Sequence, residues 1–244
     1  MSALAFTQYE LLRLLRDRRF VAFSLAFPLL LYVAVTAPNR NVHDLAHSGV
    51  PAPLYFMVGL AAFGTMNAVL GVGARIAAER GIGWNRQLRL TPLAPRAYLG
   101  AKVAAGYLIA LATIAAVFLA GAVLGVSMSV SRWAETTAML LICLVPFATL
   151  GILLGHLVTA DSVGPVTGGA SAILALLGGV WFPLDDGVLH AVAQALPAYW
   201  LVHARQVGAG AQSWSATGWI VTIAWTVLLI AAARWAYGRD TRRV

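Results

Sequence analysis

The chain has 244 residues, 60% of them hydrophobic and only 11% charged, with a mean hydropathy of +0.80. Soluble domains carry about 25% charged residues, so a water-soluble globule is excluded. The formal charge of +8 comes from 17 Lys and Arg against nine Asp and Glu, clumped between long uncharged stretches, which is the pattern of membrane topology rather than of nucleic-acid binding.

Residues 3–19 place Leu4, Leu11, Leu12 and Leu15 on one side of a helix and Glu10, Arg13 and Asp17 on another. This predicts an amphipathic helix lying in the inner membrane interface. A bilayer core of about 30 Å needs about 20 apolar residues per crossing helix. Six stretches meet that length: Phe20 to Ala37, Leu54 to Ala74, Val103 to Val126, Ala138 to Leu157, Val163 to Phe182 and Trp214 to Ala233, none with an Asp, Glu, Lys or Arg. Fourteen of the 17 cations fall in the N-terminal segment, the connection after the second span and the C-terminal tail, leaving Arg40, Arg132 and Arg205 for the other side. The positive-inside rule then puts both termini in the cytoplasm, and Trp133, Trp181, Trp214 and Trp235 stand at span ends as interfacial anchors.

Within the second span, Asn67 is flanked by Thr65 and Met66. A polar residue at that depth either bonds a neighbouring helix or faces a transport path. The pairs Gly121 and Gly125, Gly151 and Gly155, and Gly164 and Gly168 have the spacing for close helix contact, inside the subunit or with a second copy.

The longest cytoplasmic connection, 79–97, begins with Glu79 and Arg80. Gly81 and Gly83 loosen the end of the second span, Trp84 and Leu88 then fall at i, i+4 and Arg86 and Arg89 at i, i+3, and Thr91-Pro92 stops the helix. An aromatic-aliphatic stripe edged by arginines is either a docking surface or a connector that hugs the membrane on Trp84. On the opposite side, 183–213 is too interrupted to span and too apolar to be a solvated loop, which predicts a re-entrant or surface-lying helix. Gly178 and Gly179, ahead of Trp181, Phe182 and Pro183, supply its bend, and Pro197 interrupts it.

The only lysine, Lys102, is not in a phosphate-binding loop, so the chain has no nucleotide site of the Walker kind. With no ionisable residue inside a span, no ion-coupling site is expected. Cys143 is the single cysteine, and His43 and His47 have no third ligand but Asp44, so no metal site is expected. His156 near Asp161 leaves an intramembrane enzyme as an alternative, and a non-transporting scaffold or sensor subunit as another.

In chain order, Leu15-Arg16-Asp17-Arg18-Arg19-Phe20, then Glu79-Arg80-Gly81 through Leu90-Thr91-Pro92-Leu93, then Gly178-Gly179-Val180-Trp181-Phe182-Pro183 with Leu196-Pro197 resemble the membrane subunit of a type-2 ABC exporter. The resemblance covers essentially the whole chain and is closer to the drug-exporting than to the polysaccharide-exporting branch. It implies an all-α integral membrane protein, 1–244 as one permease domain, with six transmembrane helices, an N-terminal interfacial elbow helix (1–19) and an outer re-entrant helical hairpin before the last span. It also implies that Glu79 to Leu93 couples to a separate P-loop ATPase, with Trp84, Arg86, Leu88 and Arg89 in contact. That partner would hold ATP and magnesium, this chain having no cofactor of its own. Further implications are an outer gate built on the 183–197 element, a second six-span copy, location in the plasma membrane, and efflux of a hydrophobic or amphipathic drug, antibiotic or lipid-like cargo. The Gly81-Ile82-Gly83-Trp84 run departs from the charged helix start of many relatives.

Overall fold

The protein is described by a computed structural model over residues 3–83, 95–184, 186–210 and 214–242. All regular structure among these residues is helical. The helices are α1 (Ala3–Arg16), α2 (Arg18–Asn39), α3 (Ala52–Gly81), α4 (Pro95–Val123), α5 (Val130–Cys143), α6 (Val145–Leu157), α7 (Ala160–Leu177), α8 (Val188–Gln194), α9 (Pro197–Ala209) and α10 (Ala216–Arg242). Six segments are long and apolar enough to cross a membrane, with α5 and α6 together forming the fourth. They coincide with the six stretches read from the sequence.

The deviations from that reading have identifiable causes. In α2 the stretch Ala22–Ala26 is a π-turn, because Pro28 has no N–H to give the Ser24 carbonyl four residues earlier. The Thr113 hydroxyl of α4 donates to that carbonyl instead, at 3.0 Å. The fourth span starts at Val130, earlier than expected, and is broken at Leu144 because Pro146 cannot continue the ladder of α5. The fifth span ends at Leu177, short of the predicted Phe182. Gly178 caps it and Gly179 takes a left-handed φ of 70°, closing the helix with Gly179 N–H to Leu176 O at 3.1 Å and Val180 N–H to Ala175 O at 3.0 Å.

α3 is the centre of the bundle. It packs against α2, α4, α6, α7 and α9, and 83% of its apolar stretch is buried, against 17% for α7 and α10. Close approach of α3 and α6 rests on glycine: a Cβ on Gly155 would lie 2.7 Å from the Gly73 carbonyl oxygen and 2.8 Å from Ile76 Cβ. Of the three glycine pairs read from the sequence, Gly151 and Gly155 thus serve packing inside the subunit.

At about 1.5 Å per residue the 30 residues of α3 extend some 45 Å, beyond the hydrocarbon thickness. Its last two turns, with Arg75, Glu79 and Arg80, therefore extend past the apolar slab at the arginine-rich end of the bundle.

α1 runs across that end, and its orientation corrects the expected one. Phe6, Glu10 and Leu14 face inward and are buried, whereas Tyr9, Leu12 and Leu15 are exposed. Leu12 and Leu15 are thus on the outer side of α1, Leu11 is partly buried, and the glutamate is inside beside Leu14.

Candidate functional site

One charged residue from each stem of 84–94, Glu79 and Lys102, is drawn into a buried cluster with Glu10 of α1. Lys102, on α4, sends its Nζ to Glu79 Oε1 of α3 at 2.9 Å and to Glu10 Oε2 of α1 at 3.1 Å, and all three side chains are at most 2% exposed. Arg13 of α1 donates from Nη1 to the same Glu79 oxygen at 2.9 Å, and the Tyr98 hydroxyl donates to Glu79 Oε2 at 2.5 Å. The Lys102 ammonium also lies 4.9 Å from the Tyr98 ring centroid. Each buried charge in this cluster has an opposite charge in contact, which offsets the cost of taking it out of water. The expectation that no ionisable group is buried is thus corrected. Lys102 lies within the third membrane-crossing helix, Arg96–Val123.

The neighbouring arginines close helix ends. Arg75 Nη2 donates to the Arg13 carbonyl near the C-terminus of α1 at 3.3 Å and approaches Asp17 at 3.7 Å. Arg80 Nη1 donates to the carbonyls of Gly155 and Val158 at the end of α6, at 2.7 and 3.4 Å. Cations at helix C-termini satisfy carbonyls that have no partner in their own helix. Glu79 and Arg80 therefore direct their charges into the subunit. Gly81 ends α3 at the surface, and Gly83 follows with φ 71°. The other residues of the expected docking stripe, Trp84, Arg86, Leu88, Arg89, Thr91 and Pro92, lie outside the described residues.

At the opposite end, the turn after α7 is held from two sides. Gly179 O accepts from the Tyr55 hydroxyl of α3 at 2.7 Å and from Arg205 Nη1 of α9 at 3.0 Å. Trp181 packs on Phe63 with ring centroids 5.5 Å apart, Phe182 is exposed and Pro183 half-buried. Pro197 starts α9, whose residues Trp200, Leu201, Val202, Ala204 and Arg205 are buried. The segment 183–213 is thus a helical pair, α8 and α9, with α9 packed inward on α3 and α5. Two indoles finish α8: Trp200 and Trp225 donate to the carbonyls of Gln194 and Ala195, each at 2.8 Å.

Of the path candidates, Thr65 and Met66 are buried within the subunit, and Asn67 is half-buried with its amide donating to Phe63 O of its own helix at 2.8 Å. His156 is buried edge-on to Tyr237, and Asp161 is exposed in the first turn of α7. Sequence reasoning missed Glu10, Tyr98, Lys102, Tyr55 and Arg205. Only Lys102 left a trace, as the sole lysine, one turn after Tyr98 at the start of an uncharged run.

Residues 2–208 match the family model described as ABC-2 type transporter. The chain is also 29% identical over 195 residues to a Bacillus subtilis (strain 168) protein named "Putative transport permease YvfS", a match that covers 78% of each chain.

Proposed function

The chain belongs to the ABC-2 type transporter family, as a membrane-embedded transport subunit, and from that premise we propose that it exports a hydrophobic or amphipathic compound, driven by a P-loop ATPase docked on 79–93. The observation that carries this reading is the Glu10–Lys102–Glu79 cluster. It joins the two stems of 84–94 to each other and to α1, so a push on that connection moves α1, α3 and α4 together rather than bending one helix end. Nucleotide state in the ATPase then favours one arrangement of the bundle over another by acting on this unit.

The arginine bias supports a cytoplasmic position for 84–94 and both termini, the side of the plasma membrane on which an ATPase has its nucleotide. A second six-span copy completes the path. The weakly covered α7, where nothing from another element among the described residues lies within 4 Å of a Cβ at Gly164 or Gly168, supports a partner helix there. Cargo enters from the inner leaflet and leaves past the α8–α9 pair, as an apolar or amphipathic drug, antibiotic or lipid-like molecule.

Trp84→Asp and Leu88→Asp should insert normally yet lose ATP-driven export when co-reconstituted with a P-loop ATPase that drives export by the parent. Export at the parental rate by both variants would show that the docking assignment is wrong.

A further inference from the structure

Arg205 is only 7% exposed. Among the described residues no carboxylate lies within ion-pairing distance of it. Its charge is met instead by a carbonyl and a ring: Nη1 donates to Gly179 O at 3.0 Å, and the guanidinium carbon lies 3.9 Å from the Tyr55 ring centroid. Its Nε has no acceptor. A buried guanidinium held by one dipole and one π-face is stabilised far less than one held by a carboxylate, so the closed position is poised rather than locked.

The carbonyl it grips belongs to the residue on which the turn depends. Gly179 is left-handed, and its oxygen is outside the ladder of α7 and free to take two donors, Arg205 from α9 and Tyr55 from α3. Next to it Val180 is buried, its carbonyl oxygen 3.1 Å from where a Cβ on Gly59 would stand. A Cβ on Gly178 would meet the Ala198 carbonyl oxygen of α9 at 2.9 Å. The turn is thus seated on backbone at both flanks, with Trp181 packed on Phe63, and the two donors to Gly179 O are its polar hold on α3 and α9.

We propose that Arg205, with Tyr55, is a positioning residue of transport that latches the Gly178–Trp181 turn against α3, and that opening of this end of the path proceeds through release of the Gly179 carbonyl. The inference rests on the reading of the chain as an exporter with its outer gate at this turn. Release frees the guanidinium to regain water or lipid phosphate, which offsets the lost contacts and keeps the two positions close in free energy.

The test uses the chain reconstituted with its ATPase, carrying Cys143→Ala and the reporter Val180→Cys, and an impermeant maleimide added on the side of the α8–α9 pair. Without nucleotide, Arg205→Gln should raise the labelling rate about tenfold, from loss of one charge-assisted hydrogen bond. Tyr55→Phe, which keeps the ring under the guanidinium, should raise it about threefold. Arg205→Lys, which keeps the charge but not the planar stacking on Tyr55, should fall between the parent and Arg205→Gln. Cycling ATP should raise labelling in the parent and add little in Arg205→Gln. A purely structural role would lower thermal stability in all three variants and leave the nucleotide response intact, and that result overturns the latch. So does unchanged labelling in both Arg205→Gln and Tyr55→Phe, and if Arg205→Gln does not insert, Tyr55→Phe decides alone. Absence of ATP-driven transport in the parent would instead remove the export reading itself.

Discussion

Lys102 Nζ lies 2.9 Å from Glu79 Oε1 with both side chains 1% exposed, so the helices on either side of 84–94 share a charge pair that water does not reach. Removing one member of such a pair strands the other. Lys102→Met leaves Glu10 without its cation and Glu79 with only the partly exposed Arg13, and should destabilise by about 3–5 kcal/mol. Glu79→Gln should cost less, because Lys102 keeps Glu10 at 3.1 Å. The double variant should recover part of the loss. Thermal unfolding midpoints of the detergent-solubilised protein measure all three, and a parental midpoint in Lys102→Met would mean the ammonium carries no structural charge.

Two glycines of the same residue spacing should answer oppositely to a methyl group. Gly155→Ala sets a carbon 2.7 Å from the Gly73 carbonyl oxygen, forcing α3 and α6 apart, at a cost of about 1–3 kcal/mol. Gly164→Ala meets nothing within 4 Å in the subunit and should be neutral or stabilising by up to about 1 kcal/mol. If α7 meets a second copy, Gly164→Leu weakens self-association in detergent while the unfolding midpoint stays put. Sedimentation or native mass spectrometry reads the first quantity independently of the second.

His203 stacks on Tyr199 and meets Trp200 and Trp214 edge to face. Burial, then the charge of Arg205 and then His190, pull its pKa from 6.5 down to about 4. The folded protein keeps this imidazole neutral while the unfolded chain takes up a proton. Its contribution to stability is therefore complete above pH about 6.5 and is lost as the pH falls towards 4. Unfolding midpoints should drop across that window, and His203→Gln should flatten the drop. An identical pH profile in the variant would place the acid sensitivity elsewhere.

The six crossing helices were legible because each is an uncharged run long enough for the bilayer, a property that neighbours in sequence carry by themselves. Breaks set by local chemistry were legible in part: Gly178 and Gly179 marked a bend, but the left-handed φ that ends α7 five residues early was not visible in composition. The clusters were not legible. Glu10 and Lys102 are 92 positions apart and Glu79 is 23 from Lys102, and each reads as an ordinary charge beside a span. The face of α1 was misread for the same reason, since Leu14 and Glu10 are buried together and the glutamate answers a lysine from another helix. Arg205 sits in an apolar, aromatic stretch whose pattern gave a re-entrant or surface-lying helix without saying that its one cation would be buried and bound by backbone.

The enclosure of α3 has a consequence for how such a protein can diversify. The helices α2, α7 and α10 present most of their apolar length outward, while the central staff is shielded by its neighbours. Selectivity can then be rewritten on the rim, one residue at a time, but the hub can change only in concert with the helices wrapped around it.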